Sequence, residues 1–95
     1  MNTYVIRRRS AWTNEGELKL AAGRSKLVGD EMPDKVRWIR SYVVREDDGR
    51  LGTVCIYDAA DPESIREHAR RTRMPADEIT AVVEAVIVRE DPVAA

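Results

Sequence analysis

Val36-Arg37-Trp38-Ile39-Arg40-Ser41-Tyr42-Val43-Val44 runs through Arg45-Glu46-Asp47-Asp48-Gly49-Arg50 into Leu51-Gly52-Thr53-Val54-Cys55-Ile56-Tyr57-Asp58-Ala59. Both flanks are rich in β-branched and aromatic residues, which suit a pleated, half-buried surface. Asp48-Gly49 between them is a strong hairpin signal, because glycine takes positive φ without a Cβ penalty. Lys35 to Arg45 and Leu51 to Ala59 are therefore predicted to be two antiparallel strands. Asp61-Pro62-Glu63 follows at once and reads as a helix start. Aspartate caps, proline takes the first helical position, and glutamate faces the positive end of the helix. Ile65, His68, Ala69 and Thr72 then share one face. Arg66, Arg70, Arg71 and Arg73 lie largely elsewhere, and Pro75 ends the helix.

Upstream, Thr3 to Arg9 alternates moderately and predicts a first strand. Trp12-Thr13-Asn14 offers capping side chains, and Glu15 and Glu17 charge the first turn of a helix. Leu18, Ala21, Ala22, Ser25 and Val28 form its apolar stripe, with Gly29 as the expected C-cap and Met32-Pro33-Asp34 as linker. Downstream, Ile79 to Val88 predicts a last strand, nearly all apolar apart from Thr80 and Glu84. The order is β-α-β-β-α-β. Right-handed crossovers then give a ferredoxin-like α+β fold, a four-stranded antiparallel sheet with two helices on one face. Residues 1–95 are expected to form a single domain, with an ordered core over about 3–88 and a tail over 89–95.

Sixteen basic against seventeen acidic residues leave a net charge of −1, a field that favours neither nucleic acid nor an anionic membrane. Arg7-Arg8-Arg9 and the arginines of the second helix are offset by acidic neighbours. The chain has no Phe for the base-stacking strand of an RNA-recognition domain, so no nucleic-acid partner is expected. No segment approaches the roughly 20 apolar residues of a membrane span. One cysteine cannot form an internal disulfide, which fits a cytoplasmic protein. Thirteen Arg against three Lys hint at a GC-rich bacterial source.

Strict alternation puts Val36, Trp38, Arg40, Tyr42 and Val44 on one side of the second strand, and Arg37, Ile39, Ser41 and Val43 on the other. Neither set is uniformly polar. The face away from the helices should therefore keep apolar area, and a second copy packed sheet to sheet is the expected cover.

The phrases Trp38-Ile39-Arg40-Ser41-Tyr42-Val43, Cys55-Ile56-Tyr57-Asp58-Ala59, Ile65-Arg66-Glu67-His68-Ala69 and Met74-Pro75 together resemble a bacterial domain family of unknown function, DUF4242, also described as nickel-binding-protein-like. The resemblance covers roughly residues 3 to 88. It implies a small, ferredoxin-like, dimer-forming bacterial protein, with a divalent transition metal such as nickel as the cofactor. Nickel favours imidazole ligands, and the only imidazole is His68, which makes it the metal candidate.

His68 can also serve as an acid or base near neutral pH, or simply pack, with its ring nitrogens bonded to a tyrosine hydroxyl or a carbonyl. Its own helix offers only Ser64 and Thr72 one turn away, so a metal site needs Cys55, Asp58, Glu67 or Glu84 from elsewhere. No chelating spacing is present. Cys55 suits a buried strand position. Trp38, Tyr42 and Tyr57 suit a pocket for a flat ligand, a sheet core or an interface. Arg40 and Glu84, charged within strong strands, should be an ion pair across the sheet or the interface, or polar groups in a cavity. There is no phosphate loop, zinc cluster or nucleophile elbow. The reading is a dimeric binding module for a small ligand or metal, with His68, Tyr57, Tyr42, Trp38, Arg40, Glu84 and Cys55 as ligand-binding candidates. The alternatives are a cofactor-independent monooxygenase or isomerase, with His68 as acid or base and Tyr42 or Tyr57 as donor, or a structural or regulatory dimer. A closed cluster around the His68 ring would remove the enzyme and small-ligand readings together.

Overall fold

Two β-branched strands joined by a turn at Gly49 form one edge of the sheet, and the first strand of the chain extends it from the second of the pair. The computed structural model describes residues 1–76 and 78–92. Its elements are β1 (Asn2–Trp12), α1 (Glu15–Asp30), β2 (Val36–Arg45), β3 (Leu51–Ala59), α2 (Pro62–Thr72) and β4 (Glu78–Ala81). The strands pair antiparallel in the order β2-β3-β1-β4. This is the ferredoxin-like α+β arrangement predicted from the element order.

The local signals act as the residues dictate. Asn14 caps α1 by accepting from the Glu17 amide, and Asp61 caps α2 by accepting from both the amide and the hydroxyl of Ser64. Gly49 takes the turn between β2 and β3 at φ +83°. Leu51, Thr53, Cys55, Tyr57 and Ala59 are buried beneath the helices on β3. Tyr4, Ile6 and Arg8 share that face on β1. The core has two apolar clusters. One centres on Tyr4, Ile6, Val36, Tyr57 and Ile65, and the other on Trp12, Ala21 and Leu51.

Three expectations are corrected. The alternation along β2 breaks at Ile39: Trp38 pairs with Tyr57, but the next pair is Arg40 with Ile56. This β-bulge reverses the parity of everything after it. Trp38, Ser41 and Val43 consequently lie with Tyr57, Cys55 and Thr53 on the helix side, and Arg40 and Tyr42 lie on the open side. The last strand stops at Ala81 instead of Val88, because its partner runs out. Ala81 pairs with Tyr4 and the Val82 amide bonds to the Thr3 carbonyl, while β1 itself begins at Asn2. Val83, Val86, Ile87 and Val88 are left exposed. Gly29 is not the C-cap of α1; the helix runs two residues beyond the Val28 end that such a cap implies, to Asp30, and Glu31 closes it in ordinary helical geometry. Of the expected tail over 89–95, residues 93–95 lie outside the described residues.

On the open face, Arg7 grips the Glu46 carboxylate with one nitrogen, at 2.6 and 2.8 Å, and Glu46 also accepts from the Ser10 amide. The Arg7 guanidinium holds the Glu46 carboxyl below its usual range. Gly52 makes room for this contact: a Cβ there would collide with the Glu46 carboxylate and the Arg8 carbonyl.

Candidate functional site

Between α1 and the sheet, small residues face small residues. Ala22 and Ser25 on the helix stand over Ser41, Thr53 and Cys55 on the strands, and the gap they leave is a cavity of about 180 Å³. Trp38 and Tyr57 form one wall, their rings stacked at 6.3 Å and 13°. Trp12, Leu18 and Met74 form the other. Val43, half exposed, and Lys19 stand at the rim. The walls are thus mostly apolar, and they include both tryptophans of the chain.

Trp38, Ser41, Cys55 and Arg8 form a hydrogen-bonded chain along this cavity, and Tyr57 and Ser25 form a separate pair. The Trp38 indole Nε1 donates to Ser41 Oγ at 2.8 Å, leaving the serine proton free to reach Cys55 Sγ at 3.0 Å. Arg8, which is 2% exposed, donates Nη1 to the same sulfur at 3.5 Å and Nε to the Pro75 carbonyl at 2.7 Å. Arg8 Nη2 and Thr53 Oγ1 are buried with no partner. The Tyr57 hydroxyl and Ser25 Oγ share a hydrogen bond of 3.0 Å. Burial raises the Tyr57 pKa, opposed by the Ser25 bond and by the nearby charge of Arg8.

The candidate residues from the sequence separate into three places. Trp38, Tyr57 and Cys55 line the cavity. His68 lies behind it: its ring meets Tyr57 edge-on at 5.7 Å and 62°, and it is not among the lining residues. Its Nε2 donates to the Ser25 carbonyl at 2.9 Å, which fixes the proton on that nitrogen, since a carbonyl only accepts. Nδ1 is buried without a partner. The ring is closed in, yet a cavity opens on the far side of Tyr57, so closure around His68 and the presence of a pocket are separate matters. Arg40 and Tyr42 stand on the opposite sheet face, where both donate to Asp91. The salt-bridge partner of Arg40 is therefore Asp91 rather than the expected Glu84, which is exposed beyond the end of β4.

Among the described residues nothing joins His68 as a second ligand for nickel or another divalent metal. Among the described residues no group of three or more His, Cys, Asp and Glu converges. Burial lowers the His68 pKa, and the positive charges of Arg8 and Arg71 lower it further, a field that also repels a cation.

Reasoning from sequence missed Arg8, Ser25, Ser41 and Thr53. For Arg8 a signal existed: Tyr4, Ile6 and Arg8 share one strand parity, so the middle arginine of Arg7-Arg8-Arg9 had to point inward with the core. A broader groove of about 580 Å³ lies on the other side of Trp38, but Lys26, Asp30 and Arg37 along it are solvent-exposed and of mixed sign.

A family described as nickel responsive protein SCO4226-like matches residues 4–82. Among solved structures, the crystal structure of SCO4226 from Streptomyces coelicolor A3(2) is similar in fold, with a TM-score of 0.69 over 88% of this chain and 99% of that one, at 18% identity. No curated protein matches.

Proposed function

The chain belongs to the SCO4226-like family, and from that premise and the geometry above we propose that it is a small-ligand-binding module whose site is the cavity between α1 and the sheet. One observation carries the reading: about 180 Å³ of mostly apolar space between α1 and the sheet, walled by both tryptophans and Tyr57 and opening past Val43 and Lys19. An engineered apolar cavity of about 150 Å³ in another protein takes up benzene, so this one has room for a single ring. Benzoate is a suitable probe, and the two tryptophans supply the signal. Saturable quenching of tryptophan emission is expected in the wild type and none in Ala22→Phe, whose ring would occupy the cavity. Ala22→Phe should melt at or near the wild-type temperature. A plugged variant that still binds would sink the reading.

The family description speaks of nickel. Our reading leaves His68 out of any such role, because its accepting nitrogen faces no second ligand. Calorimetric titration with Ni²⁺ is expected to give the same heat for wild type and His68→Gln. A heat present only in the wild type would restore the histidine as a ligand.

A homodimer through the open sheet face belongs to the same proposal. Val5, Val54 and Ile56 are only half-buried there and Tyr42 is exposed, the kind of apolar patch a second copy covers. Light scattering should give twice the chain mass for the wild type and the single-chain mass for Ile56→Glu. A wild type of single-chain mass at high concentration would remove the dimer. The free, buried thiol of Cys55 supports a cytoplasmic setting.

A further inference from the structure

We infer that the ligand of the α1–sheet cavity is an organic anion, a carboxylate carried on one apolar ring or a chain of similar bulk; the inference rests on reading that cavity as a ligand site. The charges of β1 are the starting point. Arg7 and Arg9 point outward, and each has an acid: Glu46 for Arg7, Glu78 for Arg9. Arg8 points inward, is 2% exposed, and has no carboxylate partner among the described residues. A buried guanidinium without a counter-charge is costly, and native proteins keep buried charges paired.

Two unused donors mark where the missing negative charge belongs. Arg8 Nη2 and Thr53 Oγ1 are both buried and unpartnered, and their residues are directly opposite each other on β1 and β3, on the cavity side of the sheet. Cross-strand neighbours in this position lie within reach of one small group. One oxygen of a carboxylate can accept from Arg8 Nη2 and the other from the Thr53 hydroxyl, the first a charge-assisted hydrogen bond.

The rest of the lining sets the remainder of the ligand. No Asp or Glu lines the cavity, and Lys19 adds a second positive charge at its rim. The field inside is therefore positive although the chain as a whole carries −1. Trp12, Trp38, Leu18 and Met74 offer only apolar and aromatic surface, which an inorganic ion would leave unused.

The test compares benzoate with benzyl alcohol, which has the same ring and no charge, by tryptophan quenching at neutral pH. Wild type is expected to bind benzoate about tenfold to a hundredfold more tightly, the range of a hydrogen bond to a charged group. Arg8→Met should lose that preference while its affinity for benzyl alcohol holds, and Arg8→Lys should keep part of it. Thr53→Val should weaken benzoate alone, and decides the matter with the wild-type ratio should Arg8→Met not fold. Equal affinity for the two probes in the wild type, or benzoate binding that survives Arg8→Met, overturns the anion class and leaves the cavity as a site for neutral ligands. Failure of both probes to bind the wild type overturns the ligand site itself.

Discussion

Tyr57→Ala is expected to lower the unfolding free energy by about 3–5 kcal/mol, the usual cost of emptying a buried aromatic position. Tyr57 is 1% exposed and joins three parts of the molecule: its ring stacks on Trp38, receives the edge of His68, and its hydroxyl bonds Ser25 on α1. Small domains hold only about 5–15 kcal/mol in total, so the variant should sit near the limit of folding. Tyr57→Phe keeps the ring and strands the Ser25 hydroxyl, and should cost about 1–3 kcal/mol. Urea denaturation of both variants separates packing from hydrogen bonding. Equal losses in the two would mean that the hydroxyl, and not the ring, holds α1 to the sheet.

Stability should fall as the pH drops below about 6.5, and His68 is the reason. Burial, with help from Arg8 and Arg71, holds the folded-state pKa of this histidine below its ordinary value of 6.5. In that window the unfolded chain binds a proton that the folded chain refuses, so acid favours unfolding. The slope is bounded by one proton, about 1.4 kcal/mol per pH unit. His68 is the only histidine, and the carboxyls of Glu46, Asp48, Asp61, Glu78 and Asp91 are held below their ordinary range by their hydrogen-bond and charge partners, so their contribution is lost only at more acid pH. Urea midpoints between pH 5 and 7.5 therefore isolate it. His68→Gln, whose amide can still donate to the Ser25 carbonyl, should remove the slope. A wild type equally stable at pH 5 and 7 would mean that the ring titrates as it does in water.

The element order was legible because its signals are local. Asp48-Gly49 needs only its own backbone preference, and Asp61-Pro62-Glu63 needs only the free amides of one helical turn. The face shared by Ile65, His68, Ala69 and Thr72 follows from helical geometry, and all four are buried. What escaped the sequence depends on partners. The bulge at Ile39 exists only in register with β3, yet it decides that Trp38, Ser41 and Val43 share a side. The end of β4 is set by where β1 begins, not by the apolar run from Val82 to Val88, whose composition alone reads as strand. The cavity is the sharpest case. Ala22 and Ser25 look like an ordinary small stripe, and Thr53 and Cys55 like ordinary strand residues, until the fold sets small against small. The aromatic, Cys and His residues that the sequence drew together divide accordingly, with Trp38, Tyr57 and Cys55 at the cavity, His68 behind it and Tyr42 on the far face.

Amide shifts of the isotopically labelled full chain during titration with benzoate locate the site directly. The expected result is a saturable set of shifts centred on Arg8, Ser25, Thr53 and Cys55, with Trp12 and Trp38 indole signals moving in step. Shifts confined to the Arg40, Tyr42 and Asp91 face, or none at millimolar probe, would contradict the placement of the function between α1 and the sheet.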